Sequence, residues 1–414
     1  MSQVVSQALY NSQFAVAFAK HPLYSEYIQV KNCLAQKGFV CWVAGGAVRD
    51  LILNREVSDF DLVTDATTEQ ILELFPNALT VGISFGVVKL VISGKNLFFD
   101  LATFRRESDY VDGRRPSHID FATAKEDAGR RDFTINALFW NEDMKEIVDF
   151  VGGLKDIEKK YLRCVGDAEV RFGEDHLRIL RLLRFSIQLG FKCETVTLAA
   201  ALARVDLLRK ISAERIWAEF QKIILYVKWE EFFKDILAVK IFNFIFDEPE
   251  HSFDFKKIDL QVGYAKEKFF YVLIMLFPNQ NDLKKKIKNR LKISNDEFKI
   301  YDSLKYCLDH LNSYKYADWS FEIEKNNLIL KSIEFLHSIE RFDSVMLHKI
   351  KQEQSLWPAK LINGHDLIGL VPKNKIADVL KEIRLLQFEQ PDLDKSMLMK
   401  YLDQYKIISM KHNV

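Results

Sequence analysis

Between Phe39 and Val63 the chain carries a pattern that few folds accommodate. An apolar run, Phe39 to Ala44, meets Gly45-Gly46-Ala47-Val48-Arg49-Asp50, and Ser58-Asp59-Phe60-Asp61-Leu62 follows. The order is strand, glycine turn, helix from Val48 to Leu53, and a second strand, Phe60 to Val63. In an extended segment residues i and i+2 project from one face, so Asp59 and Asp61 can converge on a single hard divalent cation. Lacking side chains, Gly45 and Gly46 let the backbone turn sharply and approach a triphosphate, and the helix N-terminus behind them favours an anion. An Asp-x-Asp pair alone is common on surface strands. Beside Gly-Gly-x-Val-Arg-Asp it points to metal-assisted nucleotidyl transfer, in which a hydroxyl attacks an α-phosphate and pyrophosphate leaves.

The surrounding region alternates strand and helix, with a further helix expected from Thr68 to Phe75. Val87 to Ile92 and Asn96 to Phe104 are β-rich and separated by Ser93-Gly94-Lys95, a hairpin signal. Asp100 lies in the second of these strands, and a neighbouring antiparallel strand would present it to the same cation as a third carboxylate. After Gly152-Gly153 the pattern changes to long apolar-periodic stretches, Ala168 to Leu189, Val196 to Leu208 and Ala213 to Val227, which predict helices. Residues 229–345 are rich in Phe, Ile and Lys, with a break at Pro278-Asn279-Gln280-Asn281. Beyond them, Ile362 to Leu367 precedes an amphipathic segment, Ile376 to Phe388, closed by Pro391.

Charge narrows the partners. With 59 Lys and Arg against 58 Asp and Glu, any surface for nucleic acid must come from local segregation of charge. The five cysteines never approach C-x-x-C spacing, which argues against a zinc module and fits a reducing compartment. The first twenty residues lack the pattern of a secretory leader, and no apolar stretch reaches membrane-spanning length, so a cytoplasmic protein without membrane contact is expected.

Two further clusters carry chemistry. In Arg130-Arg131-Asp132-Phe133-Thr134-Ile135-Asn136 the guanidinium groups can fork onto phosphate oxygens while Asp132 holds one in place. A capped helix start would explain Asp132 and Thr134 but leaves two adjacent arginines unexplained. In Arg171 to Phe185, Asp175 and Arg178 stand three apart and would be neighbours on a helix. A solvated ion pair would look the same, but the apolar residues Leu177, Ile179, Leu180, Leu182 and Leu183 imply that the helix is enclosed, where charges need partners. A carboxylate there can accept the amino group of cytosine or adenine while the guanidinium donates to the adjacent ring nitrogen. Uracil and guanine present a carbonyl beside an N–H, so both contacts would fail and leave buried groups unpaired. Arg184, nine residues from Asp175, would lie about 180° around a continuous helix and serve triphosphate or acceptor RNA instead.

In this order the three clusters resemble the superfamily of class II tRNA nucleotidyltransferases and bacterial poly(A) polymerases, most of all the CCA-adding enzymes, over Phe39 to Phe191. The resemblance implies an α+β protein with an N-terminal polymerase-β-like head built on a five-stranded mixed sheet (22–160). An all-helical neck (161–228), body (229–345) and tail (346–414) would follow. It implies Asp59 and Asp61 as ligands of Mg2+, with Asp100 assisting catalysis. Gly45, Gly46, Arg49, Arg131, Asp132, Asn136, Asp175, Arg178, Arg181 and Arg184 would bind nucleotide. Glu174 and Asp175 through Arg178 match the family's amino-acid template. The substrates would be CTP, ATP and the 3′ end of tRNA, gripped by body and tail.

Members differ in product. Arg105 to Asp120 resembles the flexible loop that goes with complete CCA or terminal-A addition, and Gly82 to Lys89 resembles the CCA-adding pattern more than that of poly(A) polymerases. A poly(A) polymerase, an A-adding enzyme with a separate CC-adding partner, and an RNA-binding derivative of an inactive transferase are the alternatives. The basic run from Lys284 to Lys292 suits RNA phosphates or a solvated helix face. His365-Asp366 resembles the family's Gly-x-Asp-Leu tail motif, which implies no metal site there. The sequence leaves the oligomeric state open.

Overall fold

The computed structural model describes residues 2–57, 59–80, 86–92, 97–110, 116–246, 255–259, 263–278 and 282–411. The chain folds as two compact units, Met1–Val227 with Phe232–Asp247, and Lys228–Glu231 with Glu248–Val414.

The first unit holds the sheet. Its strands are β1 (Trp42–Ala44), β2 (Asp61–Thr64), β3 (Val87–Ile92), β4 (Leu97–Thr103), β5 (Arg105–Tyr110), β6 (Pro116–Phe121), β7 (Leu138–Asn141) and β8 (Glu146–Asp149). The main sheet runs β3-β4-β2-β1-β7-β8, six strands where five were expected. The edge strand β8 folds back on β7 through a tight turn in which Lys145 has φ 51° and the Asn141 side chain accepts from the amides of Asp143 and Met144. The expected pairing of β3 with β4 is present and antiparallel, although the turn between them lies outside the described residues. The relation of Asp100 to the acidic pair is different from that expected: β4 runs parallel to β2. A parallel pair needs a crossover, and residues 65–96, including helix α4 defined below, supply it.

Helices and a second small sheet complete this unit: α1 (Ser2–Ala19), α2 (Tyr24–Ala35), α3 (Gly46–Ile52), α4 (Thr68–Leu74), α5 (Ala124–Arg130), α6 (Gly153–Lys159), α7 (Ala168–Glu174), α8 (Leu177–Leu189), α9 (Thr195–Ala203), α10 (Ala213–Ile223) and, after α11 (Trp229–Phe232), α12 (Ile236–Phe246). Local chemistry marks the starts. Thr67 with Gln70 and Thr123 with Glu126 form capping boxes ahead of α4 and α5, and the Asp167 carboxylate accepts two amides at the head of α7. Gly190, left-handed at φ 66°, ends α8. The region from residue 161 is not wholly helical, because Tyr161–Leu162 (β9) pairs with Lys192–Cys193 (β10) in parallel. One face of the main sheet buries Ala44, Val63, Phe104 and Phe139 against Ala128 of α5 and Val165. Trp42, Phe104 and Phe139 meet there with ring centroids 5.6–6.1 Å apart.

The second unit is helical: α13 (Lys256–Asp259), α14 (Ala265–Leu276), α15 (Leu283–Leu291), α16 (Asn295–His310), α17 (Tyr316–Lys325), α18 (Leu328–Ser338), α19 (Ser344–Glu353), α20 (Ile376–Glu389) and α21 (Lys395–Lys411). Arg384 of α20 lies buried and bonds both oxygens of Glu324 on α17, at 2.6 and 3.0 Å. The Asp366 carboxylate accepts the Asn363 amide in a capping box and the Lys395 ammonium, a structural role. Among the described residues, no helix is long and apolar enough to cross a membrane.

Candidate active site

The face of β2 that sends Val63 into the core also carries Asp61, at the strand's first residue, into a cleft of about 780 Å³. Asp100 stands opposite Asp61 across the parallel β2–β4 pair, and both line this cleft. Asp59 precedes the strand and is exposed; it is not part of the cleft lining, yet its charge acts on Asp61. Asp61 is open to the cleft but crowded by its walls. That desolvation pushes its carboxyl above the usual range, Arg131 opposes the rise, and the like charges of Asp100 and Asp59 add to it. Lys89 of β3 holds Oδ1 of Asp100 at 2.6 Å.

Such crowding of carboxylates is relieved by a cation. Among the described residues, no three His, Cys, Asp or Glu side chains gather closely enough to hold a metal alone. Two aspartates plus substrate oxygens fit a cation of the magnesium kind, which keeps part of its shell for phosphate and water. The donor set therefore suits a divalent metal brought into register by the nucleotide.

Gly45 is the pivot beside it. At φ 76° and ψ −131° it occupies a conformation open essentially to glycine, and a Cβ there would come within 2.9 Å of Arg131 Nη1. Arg131 itself donates to the buried carboxylate of Asp127 at 3.0 and 3.1 Å and to the Asn136 carbonyl at 3.2 Å, and lies over Phe139. Arg130 shares Asp127. Burial alone would raise the Asp127 pKa, but the two guanidinium groups hold it below its ordinary value.

Asp132 joins three elements. Its Oδ2 accepts Arg181 of α8 and its Oδ1 accepts the Asn136 amide at 3.1 Å. Asn136 in turn accepts Arg49 Nη1, whose other nitrogens fork onto Asp50 at 2.9 and 2.7 Å. Burial disfavours the Asp132 charge, yet Arg181, Asn136 and Arg178 together hold its pKa far below the usual carboxylate range. Gly153 lets α6 pack against this segment: a Cβ would sit 2.2 Å from the Thr134 carbonyl oxygen.

The third cluster departs from the expected continuous helix. Asp175 is extended, at φ −134° and ψ 106°, in the break between α7 and α8, and its Oδ1 accepts the Leu177 amide at 3.1 Å. It is therefore not a helical neighbour of Arg178, and the 180° separation from Arg184 does not apply. Both Asp175 and Arg178 nevertheless face the cleft. Arg178 is buried, with Nη1 on Glu174 at 2.7 Å and on the Arg171 carbonyl at 3.0 Å, and Nη2 on the Arg130 carbonyl at 2.9 Å. Arg178, Arg181, Arg184, Phe185 and Gln188 form one face of α8 on the cleft. Arg184 pairs with buried Glu219 of α10 at 3.0 Å; burial and the neighbouring Arg181 push its pKa down to about 10, so it stays cationic at neutral pH.

Every expected site residue except Asp59 lines the cleft, and Asn136 and Asp132 also join its wall to the network behind. Sequence reasoning missed Asp127, Phe185, Arg215 and Glu219. Phe185 lies under three guanidinium groups, those of Arg49, Arg181 and Arg184, at 5.0, 5.4 and 4.2 Å. Asp127 was detectable as i−3 and i−4 from the arginine pair. The lining holds eight arginines and one lysine against four aspartates, a local cationic excess suited to a polyphosphate in a nearly neutral chain. The loop at 111–115 and the stretch 82–85 lie outside the described residues; the backbone on either side of 111–115 forms the antiparallel hairpin β5–β6.

Residues 41–163 match the family described as "Poly A polymerase head domain", and residues 190–254 match "Probable RNA and SrmB- binding site of polymerase A". The CCA-adding enzyme of Lactococcus lactis subsp. lactis is 33% identical over 394 residues, covering 92% of each chain. That of Streptococcus agalactiae serotype V is 29% identical over 87% of this chain and 92% of its own. Among solved structures, the Bacillus stearothermophilus CCA-adding enzyme in complex with CTP superposes with a TM-score of 0.76 at 23% identity, over 95% of this chain and all of that one. The Thermotoga maritima CCA-adding enzyme complexed with tRNA gives 0.65 at 18% identity, over 95% and 98%. Both share the fold.

Proposed function

The chain belongs to the family of CCA-adding enzymes, a tRNA nucleotidyltransferase that builds CCA on tRNA 3′ ends from CTP and ATP, and we propose how its residues divide that work. Asp61, with Asp59 beside it, holds the divalent cation that the family uses, taken here as Mg2+. The bound cation supplies charge neutralisation at the triphosphate and at the attacking oxygen. Asp100, fixed by Lys89, takes up the proton of the acceptor hydroxyl. Gly45 and Gly46 let the triphosphate approach the backbone, and Arg49, Arg131, Arg181 and Arg184 bind its oxygens. Asp132 and Asn136 keep those arginines in place from behind.

Asp175 and Arg178 read the base. The carboxylate accepts the exocyclic amino group of cytosine or adenine, and the guanidinium, aimed by Glu174 and two backbone carbonyls, donates to the ring nitrogen beside it. Uracil and guanine would set carbonyl against carboxylate and N–H against guanidinium. Residues 22–160 act as the catalytic head and 161–228 carry the base-reading face. Residues 229–345 and 346–414 contact tRNA, with Lys285, Lys286, Lys288, Arg290 and Lys292 of the basic run meeting phosphate. The work takes place in the cytoplasm.

The observation that carries this reading is the presence of Asp61, Asp100, Asp175 and the arginine wall in one cleft. Purified protein is given tRNA ending before CCA, tRNA ending in CC, and an unstructured oligonucleotide, each with CTP and ATP. Completion of CCA on the first two, with no long tail on the third, is the expected result. Extension of CC ends alone, or long adenosine tails on the oligonucleotide, would overturn it.

A further inference from the structure

We propose that Arg215 of α10 positions Asp175 and so shares in deciding which nucleobases the cleft admits, an inference that rests on the base-reading role given to Asp175 above. Asp175 occupies the break between two helices, where its amide donates to the Arg171 carbonyl and its carbonyl accepts the Arg178 amide, so the backbone is held and the direction of the carboxylate is left to side-chain contacts. The Leu177 amide fixes Oδ1 at 3.1 Å. The side-chain contact that completes the setting comes from Arg215, whose Nη2 lies 3.4 Å from Oδ1 and 3.3 Å from Oδ2. Both side chains are little more than one-fifth exposed, at 23% and 22%, and both line the cleft.

The place of Arg215 is itself determined. Ile216, Trp217, Phe220 and Ile223 bury the apolar face of α10, and one turn on from Arg215 the buried Glu219 pairs with Arg184 of α8. Helix α10 is thus clamped to the helix that carries Arg178, and Arg215 reaches Asp175 from a rigid base. A carboxylate held at both oxygens keeps one edge turned to the incoming base. Without Arg215 the group can rotate about its side-chain torsion, and the space left admits water. Water bridges a donor or an acceptor equally well, so the mismatch that rejects uracil and guanine is softened.

The full-length protein with tRNA lacking CCA tests this, with CTP, ATP, UTP and GTP offered singly and in competition. Arg215→Ala is expected to lower the preference for CTP over UTP by about tenfold, to raise KM for CTP and ATP more than it lowers kcat, and to regain most of the preference as Arg215→Lys. Asp175→Asn is run alongside. If Asp175→Asn changes the preference and folded Arg215→Ala does not, the inference fails while base reading by Asp175 stands. If neither changes it, base reading by Asp175 fails and takes the inference with it. Should Arg215→Ala not fold, Arg215→Gln and Arg215→Lys decide: a graded loss of preference supports the positioning role, and an unchanged preference overturns it.

Discussion

Arg181 of α8 closes Nε at 2.8 Å and Nη2 at 2.6 Å onto one oxygen of Asp132, which lies 49 residues earlier in the chain. The other oxygen of Asp132 accepts Asn136 at 3.1 Å and the Phe133 amide at 2.8 Å. Through Asn136 the same aspartate steadies Arg49. One buried carboxylate therefore aligns guanidinium groups from two helices.

Asp132→Asn is expected to cost about 3–5 kcal/mol, because Arg181 loses its buried counter-charge. The pH dependence follows from a folded-state pKa far below the unfolded one. The stability contributed by the Asp132 charge is complete above the ordinary aspartate value, about 3.9, and is lost only as pH falls through the much lower folded value. Urea unfolding of both proteins at pH 7 and pH 5.5 should show the same difference.

Gly45→Ala brings a Cβ to 2.9 Å from Arg131 Nη1 and 4.0 Å from Asp61 Oδ2, in a backbone conformation that disfavours any side chain. Displacing these groups by a fraction of an ångström is expected to lower kcat/KM by about 10²-fold. Steady-state kinetics with CTP and ATP check this, run below the melting temperature of the variant, which the backbone strain should destabilise by about 1–3 kcal/mol.

Arg184 and Glu219 form a buried pair that removal of either partner breaks. Arg184→Leu alone should destabilise by about 3–5 kcal/mol, whereas Arg184→Leu with Glu219→Leu should restore much of the loss. A double-mutant cycle by chemical denaturation measures the coupling. Nucleotide affinity should stay low in both variants, since the triphosphate has lost a cation.

Chelation of divalent metal should stop transfer, and Asp61→Asn should lower it by about 10²–10³-fold with tRNA binding retained in gel shift. In chelated protein the Asp61 carboxyl titrates above its ordinary value, so the folded state takes up its proton at higher pH than the unfolded state. Stability contributed by this group is greatest below about 3.9 and declines as pH rises through the folded pKa. Asp100→Asn removes one of the like charges and should lower the Asp61 pKa, which carboxyl NMR titration reads directly.

Local patterns were legible. Gly45-Gly46, Asp61 and Arg131-Asp132 declare themselves because each depends on backbone and side-chain chemistry within a few residues. The orientation of β4 against β2 did not, since Asp100 meets Asp61 only through the order of the whole sheet. The break at Asp175 was hidden by apolar residues and arginines on both sides, although Gly173 and the cap-like bond that the Leu177 amide donates to Asp175 are its local marks. Arg215 and Glu219 were passed over because Ala213 to Val227 reads as an ordinary amphipathic helix. Their spacing with Lys222, four and three, is the sign that a second face of α10 has a task.

The parallel register of β2 and β4 also bears on when the enzyme becomes competent. Asp61 and Asp100 lie 39 positions apart in the chain, and they meet only once the chain has passed through α4 and β3 and returned to lay β4 directly beside β2. Parallel pairing across such a separation is intrinsically slow, because the loop between the strands must close before the contacts repay it. A nascent or half-assembled chain thus has no anionic cradle to capture metal and nucleotide, and polymerising ability arrives only with the finished sheet.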